Sequence, residues 1–178
     1  MQTKILISIL LSALIIIGNF EYYTSAFEVK NGVISITFDD GWHSVYDYAF
    51  PILANHSMTA TYYVISSKVG TPGYMNAAEL IALQSARNEI GSHSVSHPVF
   101  SSLTTAQIRY ECSESKTFLE SLGLVVNNFA YPFGDADSRT NSIVSEYYRS
   151  ARRAYIPPYV MDTSNVGFNL TGYANGKF

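Results

Sequence analysis

A parallel α/β fold is what this sequence predicts, on three observations. The run Val33-Ile34-Ser35-Ile36-Thr37-Phe38 reads as a buried strand and ends at two adjacent carboxylates, Asp39 and Asp40, followed by Gly41. Further β-branched, aromatic or apolar segments then alternate with segments of helical spacing, which implies parallel β/α units. The residues that could carry chemistry all follow strands, where barrels and open α/β sheets place their sites.

After the first strand, His43 to Asn55 places Val45, Tyr46, Ala49, Ile52 and Leu53 on one side of a helix, which Pro51 should bend or split. Thr59 to Ile65 is rich in β-branched and aromatic residues and reads as a second strand. Asn76-x-x-Glu79 is a capping box for a helix over Ala77 to Arg87. Glu89-Ile90-Gly91 is a short third strand. Thr104-x-x-Gln107 opens a longer helix through Ile108, Cys112, Ser115, Leu119 and Leu122, stopped at Gly123. Asn128 to Tyr131 is a fourth strand, Ser138 to Tyr148 a further helix, and Ser150 to Ile156 the start of a fifth strand.

The first 26 residues have the character of an export signal. Lys4 precedes a thirteen-residue apolar stretch, Ile5 to Ile17, and a more polar tail ends in Thr24-Ser25-Ala26, small residues suited to cleavage. The alternative is an uncleaved anchor, although the stretch is short against the roughly 20 residues of a membrane span. Both place the rest of the chain outside the cytoplasm. That rest is large enough for one domain with a core and too small for two.

A formal charge of −3 with no basic block argues against a nucleic-acid partner. Fourteen tyrosines and one tryptophan suit a surface that stacks on sugars. Cys112 is the sole cysteine, so no disulfide can form within the chain, and its expected role is packing on a helix. Asn55-His56-Ser57 and Asn169-Leu170-Thr171 match the glycosylation sequon, a pattern that also arises by chance.

Ser92-His93-Ser94-Val95-Ser96-His97-Pro98 supplies two imidazoles four positions apart, which a single helical turn would project the same way. One carboxylate with two histidines is the ligand set of a catalytic metal site that keeps a position open. Consecutive residues leaving a strand point in different directions, so one aspartate can hold the metal while the other accepts a proton from water. Hydrolytic chemistry follows from that division. Each motif alone has a plainer reading: Asp-Gly is a common turn, and His-x-x-x-His is frequent on surfaces. Tyr131-Pro132-Phe133-Gly134 reads as a strand ending in a turn, or as a groove wall whose N–H groups face a developing oxyanion. Trp42 suits either a sugar-stacking platform or a core plug, and His43 and His56 read as surface helix residues.

Together, Ile36-Thr37-Phe38-Asp39-Asp40-Gly41, His93-Ser94-x-x-His97-Pro98 and Phe129-Ala130-Tyr131-Pro132-Phe133-Gly134 resemble the polysaccharide deacetylases of carbohydrate esterase family 4, with the NodB-homology domain. The likeness runs from about Gly32 to Arg153 and includes Tyr147-Tyr148-Arg149-Ser150-Ala151-Arg152. It implies a distorted (β/α) barrel and metal-dependent removal of N-acetyl groups from an acetylated polysaccharide or oligosaccharide. By that resemblance Asp40, His93 and His97 would hold the metal, usually zinc, with cobalt or nickel as alternatives. Asp39 would be the general base and the backbone N–H of Phe133 an oxyanion donor. Tyr131, Pro132 and Trp42 are the expected substrate-binding residues.

Tyr131 stands where many members carry an arginine that orients the base, and Arg152 or Arg153 is the expected substitute. The family's closing leucine-x-histidine motif, whose histidine protonates the leaving amine, has no counterpart after Arg153. The expected domain, residues 27–178, therefore reads as lacking the family's C-terminal motifs and its last barrel strands, either as a fragment of a longer protein or as a degenerate member without its acid. A carbohydrate-binding remnant without turnover is the competing reading.

Overall fold

The computed structural model describes residues 34–154 and the backbone of 170–172. Six strands, all parallel, lie in the sheet in their order along the chain: β1 Thr37–Phe38, β2 Thr61–Val64, β3 Glu89–Ser92, β4 Asn128–Ala130, β5 Ser150–Ala154 and β6 Leu170–Gly172. Each neighbouring pair from β1 to β5 is joined through helical segments: α1 Phe50–Asn55, α2 Ala77–Ser85, α3 Thr105–Ser121 and α4 Ser138–Val144. Sequential parallel neighbours with helical crossovers are the unit from which (β/α) barrels are made.

The sheet is curled. In a flat sheet β1 and β5 would stand four strand spacings apart, about 19 Å at roughly 4.8 Å each. Yet the guanidinium of Arg152 on β5 reaches the carboxylate of Asp39 just after β1. An arginine side chain spans much less than that, so the strands must wrap toward one another. The expected distorted barrel accounts for this curvature.

Local signals fixed the helices. Asn76 accepts from the Glu79 N–H at 3.1 Å while the Glu79 carboxylate accepts from the Asn76 N–H at 2.8 Å. Thr104 and Gln107 repeat the arrangement at the start of α3. Along α3, Ile108, Cys112, Ser115 and Leu119 are fully buried and face a core shared with Tyr62, Leu80, Leu83, Ile90, Phe100 and Phe129. Burial pushes the Cys112 thiol up to about 12, which suits a packing role.

Several expectations need correction. Of the run Val33–Phe38, only Thr37–Phe38 is strand; Val33 lies outside the described residues, and Ile34 is 80% exposed. Pro51 does interrupt the expected helix: with no N–H at Pro51 the preceding turn widens, Phe50 N–H donates to Val45 C=O in a π turn over Val45–Ala49, and regular helix resumes as α1. The last helix ends at Val144 rather than Tyr148, and Tyr148 turns into the core to donate its hydroxyl to the Cys112 carbonyl. Strand β6 falls in a segment for which periodicity predicted nothing. Asn169 lies outside the described residues, while Asn55 is exposed at the end of α1.

Candidate metal centre

Asp40, His93 and His97 converge at the C-terminal end of the sheet. Asp40 Oδ1 lies 3.6 Å from His93 Nε2 and 3.5 Å from His97 Nε2, and the two Nε2 atoms are 3.2 Å apart. A tetrahedral cation with ligands at ~2.0–2.2 Å separates those ligands by about 3.3–3.6 Å. The donor set and its spacing therefore fit a divalent metal.

Asp40 is placed by a tight turn. Gly41 N–H donates to Asp39 C=O at 2.9 Å, with Asp40 between them at φ 69°. A three-residue turn with a positive central φ is the rarer, strained γ form, and strain of this kind is characteristic of functional sites. Gly41 itself needs its φ of +83°, and an added Cβ would press on Val64 at 3.2 Å.

His93 follows β3 and is 3% exposed. Its Nδ1–H donates to the Ala130 carbonyl at 2.7 Å, which leaves Nε2 as the lone-pair atom facing Asp40 and His97. Burial holds the His93 imidazole below its ordinary pKa, so the neutral, ligating form is favoured.

The two histidines do not share a helical turn. Residues 93–99 form a loop in which Ser94 and His97 have φ of 68° and 61°. The loop is bound from inside and from α3. Ser94 Oγ accepts the His97 N–H at 2.9 Å. The carboxylate of Glu111 accepts the N–H groups of Val95 and Ser96 at 2.8 and 2.9 Å and the Ser96 hydroxyl at 2.6 Å. Glu111 was missed in the sequence, although a carboxylate on the buried face of α3, one residue before Cys112, was a readable signal.

Asp39 sits beside the trio and accepts from Arg152 Nη2. Arg152 is 7% exposed and its guanidinium carbon lies 4.7 Å from the Tyr63 ring centroid, so packing as well as charge fixes it. Of the two expected arginines it is Arg152 that meets Asp39. Arg153 instead donates from Nε to the Gly134 carbonyl at 3.1 Å.

Phe133 has φ 57° and is 67% exposed, and its ring meets the His97 ring edge-on at 4.5 Å. Its backbone N–H thus lies in a turn that adjoins the trio. Trp42 is 43% exposed and stacks on Tyr74 at 4.4 Å, and its indole N–H donates to Asp40 Oδ2 at 3.1 Å. Tyr131 and Pro132 are a correction. Both are buried; Tyr131 is 1% exposed and gives its hydroxyl to Asn141 on α4 at 2.8 Å, so it packs in the core and not on a groove wall. His43 is held by Asp47 and Glu79, each at 3.0 Å, and His56 stands exposed at the end of α1.

Three residues that could hold a divalent cation, with a second carboxylate beside them, thus stand at the strand ends of a curled parallel (β/α) sheet. Residues 27–150 match the polysaccharide deacetylase family model, and the chain belongs to that family. It is 27% identical over 115 residues to chitin deacetylase 1 of Cryptococcus neoformans var. grubii, covering 64% of this chain and 24% of that protein. Among solved structures it resembles a Bacillus cereus polysaccharide deacetylase, with TM-score 0.71, 25% identity, and coverage of 85% of this chain and 49% of the other. The fold is also that of the Streptococcus pyogenes deacetylase PplD in complex with acetate, with TM-score 0.72, 22% identity, and coverage of 83% and 66%. The chain spans less than half the length of the curated relatives it matches.

Proposed function

We propose that this protein is an exported, metal-dependent hydrolase that removes N-acetyl groups from an acetylated polysaccharide. The observation that carries the reading is the convergence of Asp40, His93 and His97 beside an Asp39 held by Arg152. A divalent cation held by those three residues would polarise the acetyl carbonyl and acidify water, and zinc suits the donor set best, with cobalt or nickel as alternatives.

The chain's own groups then have distinct tasks. Arg152 occupies Asp39 Oδ1, which leaves Oδ2 to take the proton as water oxygen bonds to the acetyl carbon. The Phe133 N–H supports the negative charge that develops on the carbonyl oxygen. When the carbon–nitrogen bond breaks, the nitrogen requires a proton, and protonated Asp39 is the acid beside it. Acetate and a free amine result, with Asp39 returned to its starting form. The exposed faces of Trp42 and Phe133, which border the trio on two sides, suit the apolar face of a sugar ring.

One observation favours a second reading, carbohydrate binding without turnover. The sequence has four histidines; two belong to the trio, His43 is tied to Asp47 and Glu79, and His56 is at the end of α1. Among the described residues no further imidazole is placed beside the trio, which leaves Asp39 as the group there that can return the proton. Acetate release from an N-acetylglucosamine oligomer by zinc-loaded protein separates the readings. Release that is abolished by chelator and by Asp39→Asn supports the hydrolase. Metal-dependent binding of the oligomer with no acetate supports the second reading, and neither binding nor release sinks both.

The export reading rests on the apolar stretch Ile5 to Ile17 and on a family match that begins at residue 27. Secreted protein should begin at Phe27 by N-terminal sequencing; Met1 on membrane-bound material would support an anchor.

A further inference from the structure

We propose that Trp42 is a positioning residue for Asp40, an inference that rests on the three-ligand reading above. Asp40 divides its two oxygens. Oδ1 faces both histidines, and Oδ2 accepts the indole N–H of Trp42 at 3.1 Å. The terminal torsion of an aspartate is soft, so without a second contact the carboxylate can rotate its ligating oxygen away from the cluster. A metal ion would then have to order the carboxylate as it binds, at a cost in affinity. The Trp42 N–H removes that freedom beforehand, as partners of ligating carboxylates do at metal sites.

The indole is itself fixed by a segment remote in sequence. Trp42 forms an isolated antiparallel bridge with Tyr74 and stacks on its ring at 4.4 Å, with the rings inclined by 22°. On either side of the bridge, His43 N–H donates to Gly73 C=O and Met75 N–H donates to Gly41 C=O, each at 2.9 Å. Lys68 Nζ lies 5.7 Å from the far partner, the Tyr74 ring. The loop before α2 thus holds Trp42, and Trp42 holds the carboxylate. Half-exposure of a large aromatic costs little here, because one edge carries a specific hydrogen bond and one face a stack.

Trp42→Phe keeps a ring for Tyr74 and deletes only the N–H. Calorimetric zinc titration of the full chain should give an affinity about 10–100-fold weaker than wild type, the usual effect of losing a metal ligand's partner. The melting temperature of the metal-free protein should be unchanged, which a merely structural role would not allow. Equal zinc affinity in both proteins overturns the inference and leaves the three-ligand reading standing. Absence of zinc binding in the wild type overturns both. Should Trp42→Phe not fold, the wild type still decides, because Trp42 is the sole tryptophan. Its emission should change with zinc and saturate at the calorimetric Kd, and an unchanged spectrum on a protein that binds zinc overturns the inference.

Discussion

Arg152 on β5 donates to the carboxylate of Asp39 at the end of β1, across 113 positions of sequence. By the family resemblance Tyr131 stands where many members carry an arginine, and Arg152 or Arg153 was the expected substitute; Arg152, on the next strand, is the one that makes the contact. The contact also ties curvature to chemistry, since only a curled sheet brings β5 to β1.

Arg152→Ala should therefore leave metal binding intact and lower acetate release by about 10²-fold, the scale on which a misplaced catalytic group costs rate. Arg152→Lys should recover part of it, because an ammonium keeps the charge but not the flat fork. Arg153→Ala, which deletes a donor to Gly134, is the control and should change stability more than rate. Steady-state assays at equal zinc occupancy test this, and equal losses for Arg152 and Arg153 would remove Arg152 from the site.

The two aspartates should separate cleanly. Asp39→Asn should purify with zinc and lose about 10²–10⁴ in rate, the usual contribution of a general base. His93→Ala and His97→Ala should purify nearly metal-free, since each removes one of three ligands. Elemental analysis decides it: zinc lost from Asp39→Asn and kept in Asp40→Asn would reverse the assignment.

Acid should weaken the metal-free protein. Burial lowers the His93 pKa below its ordinary 6.5, so the unfolded chain binds the proton at higher pH than the folded one. The stability from a neutral buried imidazole is full above about 6.5 and is lost as pH falls through the lower folded value. Melting curves of the apo protein from pH 8 to pH 5 should show this decline, reduced in His93→Gln. An apo melting temperature independent of pH in this window would contradict it.

Glu111→Ala should destabilise the protein by about 1–3 kcal/mol, the scale of hydrogen bonds to a charged acceptor, because the half-buried Val95 N–H and the Ser96 N–H lose that acceptor. Zinc affinity should fall with it, as the loop that carries His97 loosens. Denaturant melts and zinc titrations measure the two effects, and a change in stability with no change in affinity would make Glu111 a structural residue only.

The capping pairs Asn76 with Glu79 and Thr104 with Gln107, and the buried stripe Ile108, Cys112, Ser115 and Leu119, were readable because partners three or four positions apart are fixed by one helical turn. Asp39, Asp40, His93 and His97 could be picked out because their types and order are specific. How the histidines meet was not readable. A four-residue interval suggests a helix, whereas a strained loop bound by Ser94 and Glu111 makes the encounter, and Glu111 lies well outside the interval. Tyr131 was misplaced for a related reason: a motif at a strand end does not say which of its side chains face the groove, and packing against α4 turns Tyr131 into the core.

The sequence by itself determined the alternation of strands and helices, the helix boundaries set by local caps, and the chemical types gathered after β1 and β3, because short-range hydrogen bonding and periodicity decide these. Only the tertiary structure decided that Arg152 rather than Arg153 meets Asp39, that Glu111 holds the histidine loop, and that Trp42 shares the carboxylate of Asp40. These contacts depend on how far the sheet curls and on which loop packs beside which strand end. Those quantities come from burying the whole core at once, and no local window of the chain contains them.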